Sequence, residues 1–463
     1  MNALARDPGS FRDSGGRIYS DGARIFRTVT GANAGAYERA RDSGLLSSLA
    51  ERDLLLSTEE RESNVIGNDA AAATHVLEHP RIPFISYPYE WSASLLRKAA
   101  LHHLDVQIEA LKRGFTLSDA TAYNIQFVGS KPVFIDHLSF RPYREGEIWI
   151  GHRQFCMQFL NPLILWSRLG IAPNSWYRGS QEGISPEDLA PLLKGRDRLS
   201  WTILTHVIAQ AALQRRTVRA GLAAGQHRDA KLSKASFQGM LEGLRTFIAK
   251  SDLPSDATVW GDYAGNNSYG DVEAEAKRAF VGAMASAVKP GLMFDLGCNS
   301  GDYSLAALEA GAGYVVGFDF DFGALEQAAA RAEQGGRAFL PLWLDAANPS
   351  PSQGWGQSER KGLKERASGD ALVALAFIHH IAIGRNVPLD MVIDWIMAMA
   401  PHGVIEFPPK SDPMVKRLLA QREDIFADYD EPHFRAAVER RGRIVDEKHL
   451  TPGGRLLIRY DRS

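Results

Sequence analysis

Between Met293 and Asp319 the chain reads MFDLGCNSGDYSLAALEAGAGYVVGFD. An apolar run ends in Asp295, and a tight turn follows with Gly297, Asn299 and Gly301. After an amphipathic segment from Tyr303 to Ala310 and a glycine-containing return, a second apolar run ends in Asp319. Small residues in such a turn let a ligand approach the backbone, and an acid at the second strand's end can accept protons from two neighbouring hydroxyls. The chemistry written here is the holding of a nucleoside. A further acid, Asp345, ends a later apolar run in Leu344-Asp345-Ala346.

A second constellation lies far upstream in Leu117 to Phe140, LSDATAYNIQFVGSKPVFIDHLSF. Two short strands, 125–128 and 132–135, flank a Gly129-Ser130 turn. Asp119 precedes Asn124 with four residues between, and Asp136 closes the second strand. Three oxygen-bearing side chains at a hairpin mouth can hold Mg²⁺ and orient a hydroxyl, and the spacing matches the catalytic-loop Asp, metal-binding Asn and second metal-binding Asp of kinases. Here the segment resembles the protein-kinase-like fold, especially its small-molecule phosphotransferase branch. It departs from that pattern in three ways. Asp21-Gly22 alone stands where a glycine-rich phosphate loop belongs, and the following strand offers Arg24 or Arg27 in place of a lysine. Leu117, not histidine, lies two before Asp119. The expectation is a degenerate kinase-like domain kept for packing or substrate capture, with a working phosphotransferase as the alternative.

The elements that must position these groups are readable in outline. Residues 1–16 are polar and read as a flexible arm. Asp21-Gly22 between alternating runs predicts a hairpin over 17–29. Helical periodicity follows over 34–55, and a long helix over about 92–112. Residues 146–259 read as a helical connector, ending near an aromatic and amide-rich loop that contains Tyr263 and Tyr269, both candidates for cofactor or substrate contact. A helix over 271–288 leads into the opening motif. From Gly291 strands and helices alternate. Seven strands, at 293–296, 314–319, 338–344, 371–377, 403–407, 443–449 and 455–460, predict a doubly wound α/β sheet closed by a C-terminal hairpin. The domains expected are 17–145, α+β and kinase-like, the helical connector, and a Rossmann-like domain over 260–463.

The order of residues 260–463 resembles class I S-adenosylmethionine-dependent methyltransferases. Asp295-Leu296-Gly297-Cys298-Asn299-Ser300-Gly301 stands for their first motif, with Asn299 where a glycine is common. The resemblance implies S-adenosyl-L-methionine as cofactor, with Asp319 on the ribose hydroxyls, Asp345 at the adenine amino group, and Tyr269 as a further contact. A nicotinamide-binding fold is disfavoured by the Gly-x-Asn-x-Gly turn, the acid ending strand three and the closing hairpin. In the methyltransferase fold the end of strand four faces the methyl group, and here it runs into Phe377-Ile378-His379-His380-Ile381. A neutral imidazole there can take a proton from a hydroxyl as the methyl moves. Where the strand persists through the pair, alternation lets only one of them face the ligand, and His380 is expected there over His379. Glu406, preceded by His402 on the neighbouring strand, is expected to orient His380. A metal role for it would require further convergent ligands, and no metal is expected. Lys410 to Tyr429 reads as a helical flap over the acceptor, with Asp412 as a helix cap. The FIDHLSF, DLGCNSG and FIHHIAIG segments together resemble a bacterial methyltransferase group with a rhizobial nodulation-associated member. That implies a small-molecule or saccharide acceptor and O-methylation; the alternatives are a bifunctional kinase/methyltransferase and a non-catalytic scaffold.

Composition fits this reading. A chain of 463 residues, 45% hydrophobic and 23% charged, has material for several cores, and its net charge of −2 offers no field for nucleic acid. The two cysteines, Cys156 and Cys298, lack the spacing of a disulfide framework or a zinc motif. The N-terminus lacks the apolar core of a signal peptide, and no apolar run is long enough to span a membrane, so a cytoplasmic location is expected.

Overall fold

The computed structural model of the chain describes residues 4–219, 231–253, 271–420 and 422–463. Two units emerge. One comprises Met1–Phe127, Lys131–Pro254 and Gly354–Arg360, the other Val128–Ser130, Ser255–Gln353 and Lys361–Ser463. Among the described residues no helix is long and apolar enough to cross a membrane.

In the first unit five strands, β1 (Ala5–Arg6), β2 (Ile18–Ser20), β3 (Ile25–Thr30), β4 (Glu59–Arg61) and β5 (Ala73–His79), form an antiparallel sheet in the order β1-β2-β3-β5-β4. The Asp21-Gly22 turn joins β2 to β3: Gly22 takes a φ of +89°, and the Asp21 carboxylate accepts the Arg24 N–H at 2.8 Å. The expected flexible arm is in part tied down. Ala5 and Arg6 pair with Ser20 and Tyr19, and Asp7 caps a short 3-10 turn over Pro8–Arg12. The 20-residue helix Ala93–Lys112 buries Leu95, Leu96, Ala99, Ala100 and His103 at helical spacing. After it β6 (Phe115–Leu117), β7 (Ile125–Val128), β8 (Lys131–Phe134) and β9 (Phe140–Pro142) make two small ladders, β6 with β9 and β7 with β8.

The helical stretch expected as a connector belongs to this unit. Its helix Lys234–Ala249 buries Phe237, Leu241, Leu244 and Ile248 and packs on Ala93–Lys112. Two of its segments carry π-helical turns, Cys156–Leu160 and Leu204–Ile208.

The second unit holds the seven-stranded sheet. Its strands are β10 (Met293–Leu296), β11 (Val315–Asp319), β12 (Phe339–Trp343), β13 (Ala371–Ala374), β14 (His402–Phe407), β15 (Arg443–His449) and β16 (Leu456–Asp461). They lie in the order β12-β11-β10-β13-β14-β16-β15, the first five parallel and β16 antiparallel to both its neighbours, β14 and β15. The closing hairpin is therefore present, with its return strand β16 inserted beside β14. Strands β10, β12 and β13 are buried at every position, as strands covered on both faces must be. Connections leave β10 in opposite directions, to β11 and then across to β13, so a crevice opens at the carboxyl ends of these strands.

The turn after β10 depends on bare backbone. Gly301 has a φ of +85°, and a Cβ there would lie 2.5 Å from Phe339 Cε1 on β12. Gly301→Ala combines left-handed strain with overpacking, an expected loss of about 2–4 kcal/mol. Urea denaturation should show a lowered midpoint at unchanged slope; an unchanged midpoint would refute this account of the turn.

Candidate functional site

The crevice at the β10/β13 switch point encloses about 380 Å³, in the range of small-molecule pockets, roughly 300–1,000 Å³. Gly297, Cys298 and Asn299 form one wall. Asp319 and Asp345 stand at the ends of β11 and β12, and His379 and His380 lie across from them. The sequence thus placed seven of its candidate residues around one cavity.

Backbone conformation shapes the first wall. Gly297 has a φ of +77°, and a Cβ there would stand 3.3 Å from the Phe377 ring. Asn299 also adopts a positive φ, +49°, which an amide side chain tolerates, and its own Oδ1 accepts the Ser300 N–H at 2.7 Å. Asp319 is fixed by two backbone donors: Oδ2 accepts from Asn299 at 2.8 Å and Oδ1 from Asp321 at 2.9 Å. Burial nevertheless pushes its carboxyl up to about 6, with these bonds opposing. Each oxygen keeps a second lone pair for a ligand donor. Asp345 accepts the Ala347 N–H at 3.1 Å and has the Arg385 guanidinium 3.7 Å away.

Two cofactor candidates sit elsewhere. Asp295 is buried behind the cavity, where its Oδ2 accepts the Ser304 hydroxyl at 2.6 Å. Gly301 starts the helix Asp302–Glu309 and shapes the turn without lining the cavity. Tyr263 and Tyr269 lie outside the described residues.

The histidine pair departs from expectation in its backbone. β13 ends at Ala374, Ala376 takes a φ of +49°, and His379 and His380 sit on a short helix, Ile378–Ala382. Strand alternation therefore cannot choose between them, and both rings line the cavity with centroids 4.1 Å apart. His379 is 1% exposed, and among the described residues neither of its ring nitrogens has a hydrogen-bond partner. Burial drives its pKa well below the usual value, helped by neighbouring His380 and Lys277, and burial lowers His380 to about 4. Both imidazoles are neutral near physiological pH.

Glu406 does not orient His380. It is fully buried, with Oε1 2.8 Å from Lys277 Nζ and 3.2 Å from Arg455 Nη1, while Oε2 accepts the Ala376 N–H at 2.6 Å. His402 lies 3.5 Å from Asp461, at the far end of its strand. Among the described residues of the expected flap over 410–429, only Pro413–Leu419 is helical. The segment is anchored to its own sheet by the Tyr429 hydroxyl, which donates to the Pro408 carbonyl at 2.9 Å. Asp412 caps that helix as expected, accepting the Met414 N–H at 2.8 Å.

Among the cavity-lining residues that sequence reasoning missed are Lys277, Phe320 and Arg385. Lys277 carried a signal, because it stands on the apolar stripe of Phe280, Val281 and Met284 in the helix Asp271–Val288. Phe320, half-exposed directly after Asp319, offers an aromatic face, with the Arg385 guanidinium 5.9 Å from its centroid.

In the first unit Asp119, Asn124 and Asp136 do converge. Asn124 Nδ2 lies 3.0 Å from Asp119 Oδ1 and 3.3 Å from Asp136 Oδ2. Burial and neighbouring Asp136 push Asp119 up to about 7. A cation is already in place, because the buried Arg27 guanidinium lies 2.8 Å from Asp136 Oδ1 and 2.6 Å from Asp13 Oδ2. Arg24 turns instead to Asp21, at 2.8 Å.

Asp295 supplies a pH test. Burial raises its pKa from 3.8 to about 7, with the Ser304 hydrogen bond opposing. The folded protein holds this proton more tightly than the unfolded chain. The associated stability is thus complete below about pH 4 and is lost as pH rises through about 7. Asp295→Asn should flatten that slope in thermal unfolding between about pH 4.5 and 8, by a few kcal/mol at most; an identical slope in the variant would disprove the assignment.

No family model matches the chain. Nodulation protein NoeA of Rhizobium meliloti (strain 1021) is 46% identical to it over 462 residues, 99% of this chain and 96% of that protein. Among solved structures, the N-methyltransferase NodS from Bradyrhizobium japonicum WM9 aligns with 41% of this chain and 97% of its own, at 11% identity and a TM-score of 0.30. The bifunctional kinase-methyltransferase WbdD aligns with 47% of this chain and 45% of its own, at 16% identity and a TM-score of 0.30.

Proposed function

The chain belongs to the family of nodulation protein NoeA, and from that premise we propose that it is an S-adenosyl-L-methionine-dependent methyltransferase acting on a hydroxyl of a saccharide or other small molecule. The observation that carries the reading is the convergence of the Gly297–Asn299 turn, Asp319 and Asp345 in one cavity at the switch point of the seven-stranded sheet. The residues present fit the cofactor. Asp319 has lone pairs for the ribose hydroxyls, Asp345 for the adenine amino group, and Phe320 and Ile381 offer apolar surface for the base. When bound, S-adenosylmethionine supplies a methyl group already activated on a sulfonium sulfur.

What the chain adds is positioning, exclusion of water and a place for one proton. His379 is the better candidate for that proton than His380, because its two buried nitrogens have no hydrogen-bond partner among the described residues. A neutral imidazole takes the proton as the acceptor oxygen gains the methyl group. Lys277 stays paired with Glu406 and lends positive charge to the same wall.

Calorimetry with S-adenosylmethionine tests the cofactor assignment. Asp319→Ala should weaken binding roughly 10- to 100-fold, the worth of hydrogen bonds to a charged group. In the wild type, affinity should rise as pH passes upward through about 6, where Asp319 ionises. No binding by the wild type, or equal affinity in the variant, would defeat the proposal.

For the proton acceptor, His379→Ala should lower transfer of labelled methyl groups into a metabolite extract by about 10²–10⁴-fold at unchanged cofactor affinity. Transfer at the wild-type rate would remove His379 from the mechanism.

The convergence of Asp119, Asn124 and Asp136 favours a second, kinase-like reading of the first unit. Arg27 weighs against catalysis there, since its guanidinium already neutralises Asp136. We take this unit as a degenerate kinase-like module for capturing the acceptor. Calorimetric binding of ATP with Mg²⁺ would restore the bifunctional reading.

A further inference from the structure

A cluster in the first unit, outside both sites described so far, has the composition of a metal site. His152, Cys156 and His206 each place a donor atom within 4.8 Å of the other two. His152 Nε2 lies 2.8 Å from His206 Nδ1 and 3.6 Å from Cys156 Sγ. His152 and Cys156 are four residues apart and so share a helix face. Cys156 opens one π-helical turn, and His206 lies inside the other, Leu204–Ile208. Such turns disturb helix hydrogen bonding and recur at functional positions. Cys156 is fully buried while the two imidazoles are partly exposed, so the donors converge with one side open to solvent.

We propose that His152, Cys156 and His206 form a transition-metal site of the zinc type, with two imidazoles, one thiolate and a fourth position open to water. Tetrahedral zinc, with Zn–N of about 2.0–2.1 Å and Zn–S of about 2.3 Å, sets N···S near 3.5 Å and N···N near 3.3 Å. The sulfur is already at that spacing from His152 Nε2. The imidazole pair opens by about half an ångström on loading, a rotamer-scale adjustment. The Gln210 side-chain amide lies 2.8 Å from His152 Nδ1. Its oxygen turned to the ring accepts Nδ1–H and leaves the Nε2 lone pair for the ion, the usual outer support of a ligating histidine. Binding displaces the thiol proton to solvent, so one proton leaves as one metal–sulfur bond forms. The ion would clamp two helical segments about fifty residues apart in sequence, a spacing to which a short cysteine-motif search is blind.

The test uses the full-length protein, stripped of metal and titrated with Co²⁺ and with Zn²⁺. The expected result is about one ion per chain, tetrahedral cobalt absorption and a thiolate-to-cobalt charge-transfer band. Cys156→Ser should abolish the charge-transfer band. Gln210→Leu should weaken zinc binding roughly 10- to 100-fold with circular dichroism unchanged. A wild-type titration without the charge-transfer band overturns the proposal and leaves a metal-free hydrogen-bond chain from Gln210 through His152 to His206. That outcome stands whether or not any variant folds. A band that persists in Cys156→Ser also overturns it, by placing the ion on Cys298, the other of the chain's two cysteines.

Discussion

Everything at the cavity rests on a buried group of four charges. Lys277, Glu406, Arg455 and Asp412 are each less than a tenth exposed, and Arg455 Nε lies 2.7 Å from Asp412 Oδ2 while Glu406 bridges Arg455 and Lys277. Two cations face two anions, so the net charge is zero, but ions taken out of water need every partner in place. Loss of one member of a buried pair costs about 3–5 kcal/mol, because the remaining charge stays stranded. The cluster ties helix Asp271–Val288, strand β14, the approach to β16 and the start of helix Pro413–Leu419 into one body. Glu406 also holds the Ala376 amide in its left-handed conformation, and that turn delivers His379 to the cavity. A buried carboxylate thus decides where the candidate base stands.

The acids near the cavity divide by their donors. Asp319 has backbone amides on both oxygens, which hold its carboxylate at the rim with lone pairs to spare. Asp295, one strand away, is satisfied by Ser304 and lies behind the wall. Two residues of the same type in one sequence motif therefore have different work: one presents a charge, the other braces the turn that follows it.

Much of this architecture was legible in the chain. Acids that end apolar runs mark strand ends: Asp319 is the last residue of β11, and Asp345 lies two residues beyond Trp343, the last of β12. The hairpin through Thr451 to Gly454 likewise showed in its turn residues. The histidine pair was misplaced onto a strand because Phe377-Ile378 continues the apolar run of β13, while the break comes from a positive φ at an alanine, which no composition reveals. The ion pairs of Glu406 do not show in the chain, because its partners, Lys277 and Arg455, come from distant segments. Ala5–Arg6 looked loose because two residues are too few to show strand periodicity. The convergence of Asp119, Asn124 and Asp136 was legible from spacing; of the two arginines the strand offers, only the structure shows that Arg27 is the one paired with Asp136.

The division of the chain into units has a consequence for its synthesis. Gly354–Arg360 belongs to the first unit although it follows β12 in sequence. There Glu359 pairs with Arg12 at 2.8 Å, and the Arg360 guanidinium lies 4.4 Å from the Tyr123 ring centroid. A ribosome adding about 5–20 residues per second needs roughly 5–20 s to travel from residue 254 to residue 360. Through that interval β10, β11 and β12 are made while the first unit still lacks its last segment. The earlier unit therefore closes only after the later one has begun, an order of assembly fixed by chain connectivity.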